Sequence, residues 1–140
     1  MKNQYIFLSS DKTESHPSNT FFDFTVEFPY TIPLAPDEWE IGLSHISFFK
    51  KEGSISPNMY LCCDIISASF CNNESSQILR FIPNQKGKTN LNFDNIFYQD
   101  VLPNTINTIR IYIRITEELK RPVKDETLYC TLHLRRKKEQ

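Results

Sequence analysis

Catalysis needs a nucleophile with a base, a pair of carboxylates in a cleft, or a set of metal ligands, and this chain offers three histidines and four cysteines toward any of them. His16, His45 and His133 stand among unrelated neighbours. The cupin pattern, two histidines one residue apart followed by a carboxylate, is missing, which sets aside the sharpest enzymatic alternative, a metal-dependent jelly-roll enzyme. Cys62, Cys63, Cys71 and Cys130 show no CxxC spacing. On a strand the adjacent pair points to opposite faces, so those two cannot share a tetrahedral site, and the cysteines read as buried thiols of a reducing compartment. Gly42, Gly53 and Gly87 are isolated, and "GKT" at Gly87 lacks the earlier glycine and the following helix of a phosphate-binding loop. The expectation is a protein without enzymatic activity or cofactor.

The remaining candidates are contact residues. Arg110, Tyr112, Arg114 and Tyr129 fall on outward positions of alternating segments and are the types that subunit interfaces prefer. Arg135, Arg136, Lys137 and Lys138 begin a basic C-terminal tail, residues 135–140, suited to weak, sequence-independent contact with nucleic-acid phosphates, to an import signal, or to simple solvation. A net charge of −1 over 140 residues excludes a general attraction to nucleic acid or anionic membranes. No window is long and apolar enough to span a bilayer, and the start lacks a secretory hydrophobic stretch; a soluble, cytosolically made protein is expected.

These residues need strands to hold them. "TIRIYIRIT" alternates Ile109, Ile111, Ile113 and Ile115 with Arg110, Tyr112 and Arg114, and "TLYCTLHLRRK" alternates Leu128, Cys130, Leu132 and Leu134 with Tyr129, Thr131, His133 and Arg135. "FFDFTVEF" is a third, which Pro29 should end. "WEIGLSHISF" places Trp39, Ile41 and Leu43 on one face, then shifts phase to Ile46 and Phe48. That predicts a core strand with a bulge near Ser44-His45, and Gly42 within it predicts close backbone approach or a bend. "QYIFLSS", "MYLCCDIISASF", "SQILRFIPN" and a segment over 96–102 complete the set, while "CNNESS" and similar stretches read as loops and "TEELKR" as the one tempting helical turn. About eight strands with almost no helix, and no Cys before Trp39 to complete an immunoglobulin pattern, make the fold all-β: one domain over 1–140, a single jelly-roll antiparallel β-sandwich.

Three segments in this order, "YIFLSS" leading to "HPSNTFFDFTVEFPYTIPL", "DEWEIGLSHISF" and "LHLRRKK", resemble the minor capsid, or penton, proteins of Polinton/Maverick elements and adintovirus-like viruses. The motif "WEIGL", Trp39 to Leu43, is the most specific part; Pro36-Asp37-Glu38 stands where family members often have a glycine before the Trp. The resemblance implies a structural virion component: a jelly roll forming a homopentamer at icosahedral vertices and touching a double-jelly-roll major capsid protein, in the virion and, during assembly, in host cytoplasm or nucleus. Within the core motif Trp39, Ile41, Gly42 and Leu43, it assigns Trp39, Ile41 and Leu43 to core packing and Gly42, with the bend at His45, to the strand's turn toward a corner. The alternative is a lectin-like or protein-binding jelly-roll module with no capsid role.

Overall fold

The structure is a computed structural model and describes residues 3–35, 37–48, 58–71, 74–83, 89–115 and 127–137. Among these residues there are strands and no helix. In chain order the strands are β1 (Asn3–Ser9), β2 (Asp23–Pro33), β3 (Trp39–Phe48), β4 (Met59–Cys63), β5 (Ser69–Cys71), β6 (Glu74–Ser76), β7 (Ile78–Ile82), β8 (Thr89–Asn92), β9 (Gln99–Asp100), β10 (Thr105–Ile115) and β11 (Leu128–Arg136). One sheet runs β1-β11-β3-β8, with β9 also on β3; the second runs β2-β10-β4-β7; β5 and β6 form a separate hairpin. Compared position by position, the two orders pair β1 with β2, β11 with β10, β3 with β4, and β8 with β7. Each couple is joined in sequence, as when a long antiparallel ribbon is rolled into two layers. The fold is a jelly-roll β-sandwich.

Alternation along the strands decides what lies between the layers. In β11, Leu128, Cys130, Leu132 and Leu134 are buried, and in β10 Ile106, Ile109 and Ile111 are. They meet Trp39, Ile41, Leu43, Ile46 and Phe48 of β3 in one continuous core. The phase shift in β3 has a local cause. Leu132 pairs with Leu43 and Thr131 with His45, so Ser44 is an extra residue, and its hydroxyl donates to the Thr131 carbonyl at 3.0 Å. The bulge returns Ile46 and Phe48 to the core side.

Pro29 does not end its strand: β2 continues to Pro33. As an outer strand, β2 tolerates a residue without an N–H, and its pairing with β10 jumps from Thr108–Glu27 to Ile106–Ile32 around that stretch. The segment expected as one strand over 96–102 holds only β9 and an isolated bridge from Val101 to Ile66, because the chain leaves the sheet between β8 and β9. Part of "CNNESS" is strand β6, and "MYLCCDIISASF" divides into β4 and β5. "TEELKR" lies outside the described residues.

Two features of the segments that lead into β2 and β3 have a direct physical explanation. The Asn19 side chain is buried and acts as a substitute strand: its amide donates to the carbonyls of Asp11 and Thr25, and its oxygen accepts from the Thr25 N–H at 3.0 Å. It thereby ties the loop after β1 to β2. Asp37 has φ 60°, in the left-handed region that glycine occupies most cheaply and aspartate tolerates better than most residues, so the turn before Trp39 keeps a glycine-like backbone without a glycine.

Trp39 is the largest side chain in the core strand. Trp39→Ala should lower stability by on the order of 3–5 kcal/mol, because the residual cavity adds to the lost transfer energy. Urea unfolding monitored by circular dichroism reads this directly, and an unchanged midpoint would contradict the burial of the indole.

Candidate functional site

The outward face of the β1-β11-β3 sheet is built around one register line, in which Tyr5 of β1, His133 of β11 and Gly42 of β3 stand side by side. Because Gly42 carries no side chain, the stretch between β8 and β9 folds down onto the sheet there. A Cβ on Gly42 would stand 2.6 Å from the Phe97 carbonyl oxygen and collide with the Ile96 side chain. The Phe93 N–H donates to the carbonyl of the bulged Ser44 at 2.9 Å, anchoring one end of this stretch, and β9 pairs with Glu40 and Ile41 at the other.

This approach carries Tyr98 across β3 to β11. Its hydroxyl is hydrogen-bonded to His133 Nδ1 at 2.7 Å, and the His133 ring is stacked on Tyr5 with centroids 4.6 Å apart. The Arg135 guanidinium lies 3.4 Å from the Tyr98 ring centroid and donates through Nε to Glu40 Oε1 at 2.8 Å. Partial burial and the neighbouring Arg135 charge lower the His133 pKa from its ordinary value, while desolvation raises that of Tyr98. The cluster therefore favours neutral imidazole and phenol. It holds side chains in place and has no activated nucleophile among its members.

Beside it the surface is bare and aromatic. Phe7 is 78% exposed, Tyr5 55% and Tyr129 52%. Phe7 pairs with Thr131 and Ser9 with Tyr129, so the three rings occupy neighbouring outward positions of β1 and β11. β1 ends its sheet and contains no charged residue along Asn3–Ser9. The other outer strands are guarded in recognisable ways: β2 carries Asp23, Glu27, Pro29 and Pro33, β7 carries Arg80 and is followed by Pro83, and β8 is only four residues long.

The opposite edge is closed by Arg80. Its guanidinium lies 3.9 Å from the Phe93 ring centroid and 4.4 Å from that of Phe97, and Nη1 donates to the Asn95 carbonyl, which clasps β7 to the segment after β8. Phe97 is 54% exposed there, and Phe81, 43% exposed, packs on Tyr60 at 5.1 Å.

The contact residues expected from sequence do not form one patch. Arg110, Tyr112 and Arg114 lie on β10 in the second sheet, while Tyr129 is on the outer face of the first. Arg110 makes a two-pronged pair with Asp23, at 2.9 and 2.7 Å, and lies over Tyr112. The basic tail is also partly a strand: Arg135 and Arg136 are the last residues of β11, paired with Glu40 and Trp39. Arg135 is ion-paired with Glu40, Arg136 with Glu38 at 3.5 Å and Lys137 with Asp100 at 2.9 Å, so their charge is matched locally; Lys138 lies outside the described residues. Tyr5, Phe7 and Tyr98 were not singled out by sequence reasoning. In "QYIFLSS" every central residue is apolar, so hydropathy cannot tell the inward Ile6 and Leu8 from the outward Tyr5 and Phe7; the visible hint is that both outward residues are aromatic.

Among the described residues, no group of three or more His, Cys, Asp or Glu side chains is placed to hold a metal ion. No described helix is long and apolar enough to cross a membrane. No family model, curated protein or solved structure matches the chain.

Gly42→Ala should destabilise the fold by about 1–3 kcal/mol, since a Cβ meets the Phe97 backbone carbonyl at 2.6 Å as well as the Ile96 side chain, and the backbone cannot swing aside as a side-chain tip can. The loss should appear as a lower thermal midpoint, together with freer Tyr98 fluorescence anisotropy in a variant retaining that tyrosine alone. For His133, the folded pKa lies below the unfolded value of about 6.5, so the unfolded chain binds more protons in between. Its contribution is present above about pH 6.5 and is lost as pH falls through the folded pKa. A thermal-midpoint series should therefore drop on acidification, with a shallower drop in His133→Gln.

Proposed function

We propose that the protein is a structural subunit of a viral or transposon-encoded shell, of the minor capsid (penton) kind: a jelly roll closing as a homopentamer at icosahedral vertices, against a double-jelly-roll major capsid protein. The observation that carries this reading is the exposed aromatic cluster of Tyr5 and Phe7 on the uncharged outer strand β1 with Tyr129 beside them on β11, an apolar surface at an open sheet edge of the kind that another chain covers. The residues of the family-like segments support it in a second way. Trp39, Ile41 and Leu43 fill the core, Gly42 admits the covering segment, and Asn19 ties loop to strand. These segments thus have the physical character of a scaffold.

Contact with nucleic acid through the C-terminal residues has little behind it, because Glu38, Glu40 and Asp100 already answer the charges of Arg136, Arg135 and Lys137. A virion location, reached through host cytoplasm or nucleus, belongs to the same proposal. The rival reading, a lectin-like or protein-binding module, would give the same three rings to a foreign ligand.

Light scattering on the purified chain over a concentration series separates the two. The shell reading expects a discrete species of five times the 16.5-kDa chain mass. A single-chain mass at every concentration would withdraw the pentamer and hand the aromatic edge to another partner.

A further inference from the structure

Residues 93–98, between β8 and β9, cover the outer face of β3 without joining the sheet. β8 pairs with β3 from His45 to Phe48 and β9 pairs with Glu40 and Ile41, so Gly42, Leu43 and Ser44 have no strand beside them on that side. Among the described residues, one backbone hydrogen bond ties 93–98 to β3, from Phe93 to Ser44, and side chains do the rest. Arg80 fastens the segment through the Phe93 and Phe97 rings and the Asn95 carbonyl, and Tyr98 fastens its end to His133. We infer that residues 93–98 are an acid-sensitive strap: protonation of His133 loosens the Tyr98 end, the strap lifts from Gly42, and the unpaired stretch of β3 is uncovered while the sandwich stays closed. The strap goes beyond the shell reading and does not depend on it.

His133 is the member of the cluster whose charge changes near neutral pH. The hydrogen bond alone does not decide the outcome, because the phenol oxygen of Tyr98 can accept from a protonated Nδ1 as readily as its hydroxyl donates to a neutral one. The added charge decides it. Arg135, on the same strand, already lies over the Tyr98 ring, and burial and this neighbour both weigh against the imidazolium with no carboxylate offsetting them. The groups around His133 are committed elsewhere: Glu40 of β3 is paired with Arg135, and Asp100 of β9 with Lys137. His45, one pair along β3, is bonded to Asn90 and adds only positive charge when it titrates; Asp94 stands at the far end of the strap, next to Phe93. β1 offers the neutral Tyr5, whose stack on His133 survives when the strap lifts and so favours neither state. Lifting returns His133 to water, and each unit of pKa thereby recovered raises the limiting open-to-closed ratio about tenfold in acid. Little is uncovered in exchange. Asp94, Asn95 and Phe97 are exposed already, and Gly42 has no side chain to lose contacts. Arg80 does not titrate in this range, and with the Phe93–Ser44 bond it keeps the other end of the strap fixed.

The test is an NMR titration of the full chain from about pH 7.5 to about pH 5, following isoleucine methyl groups and the histidine rings. The Ile96 methyl lies against Gly42 and reports the strap, while those of Ile41, Ile46, Ile109 and Ile111 report the core. The unseated population, read from relaxation dispersion of the Ile96 methyl, should rise by roughly three-fold or more with the midpoint of the His133 ring signals. The core methyls should stay as they are, and His133→Gln should lose the rise. An Ile96 signal indifferent to protonation of His133 overturns the strap, as does a rise that persists in His133→Gln. Core methyls that move together with Ile96 overturn it too, since the whole sandwich is then opening. Should His133→Gln not fold, the parent decides alone: an Ile96 midpoint apart from that of His133 rejects the proposal.

Discussion

The outer face of the first sheet depends on the missing side chain at Gly42. Because the Phe97 carbonyl occupies the place where a Cβ would be, the strand that pairs with β3 is broken into β8 and β9, and the stretch between them lies on the sheet. Tyr98 can then reach His133, the neighbour of Gly42 on β11, and His133 in turn braces Tyr5 on β1. One absent methyl group thus connects strands that are far apart in sequence, and the polar members of the cluster satisfy one another instead of competing for water.

Much of this architecture can be read from the residues, and what escapes does so for physical reasons. The displacement from Leu43 to Ile46 announces an extra residue, and Ser44 supplies it. The isoleucines of β10 and leucines of β11 display a two-residue period over long strands, where the pattern is hardest to mistake. Pro29 misleads, because its cost depends on whether a strand has a neighbour on its N–H side, a property of the sheet order and not of the local sequence. The break at 93–98 escapes for the same kind of reason: Ile96 and Phe97 look like strand interior, and only the contact with Gly42 shows that they cover the sheet from outside.

Long-range placement also separates the expected contact residues. Arg110 and Tyr129 both alternate outward, yet the rolled topology sends them to opposite sides of the molecule. Ion pairing then divides the surface into two kinds of territory. At the end of β11, each described cation has a carboxylate within reach, an arrangement that contributes modestly in water and orients the chain more than it stabilises it. Along β1 there are no charges to match, and the energetic reward for covering Phe7 and its neighbours comes from the removal of apolar area from water.

Burial has a chemical consequence for the cysteines. The thiols of Cys62, Cys63 and Cys130 lie inside the folded protein, and desolvation raises the Cys63 pKa far above its ordinary value and that of Cys130 to about 12. Since the thiolate is the species that attacks oxidants and disulfides, these three groups are silent as long as the layers stay closed. A thiol reagent acting on these sites reports opening of the sandwich itself, with the core as its own sensor.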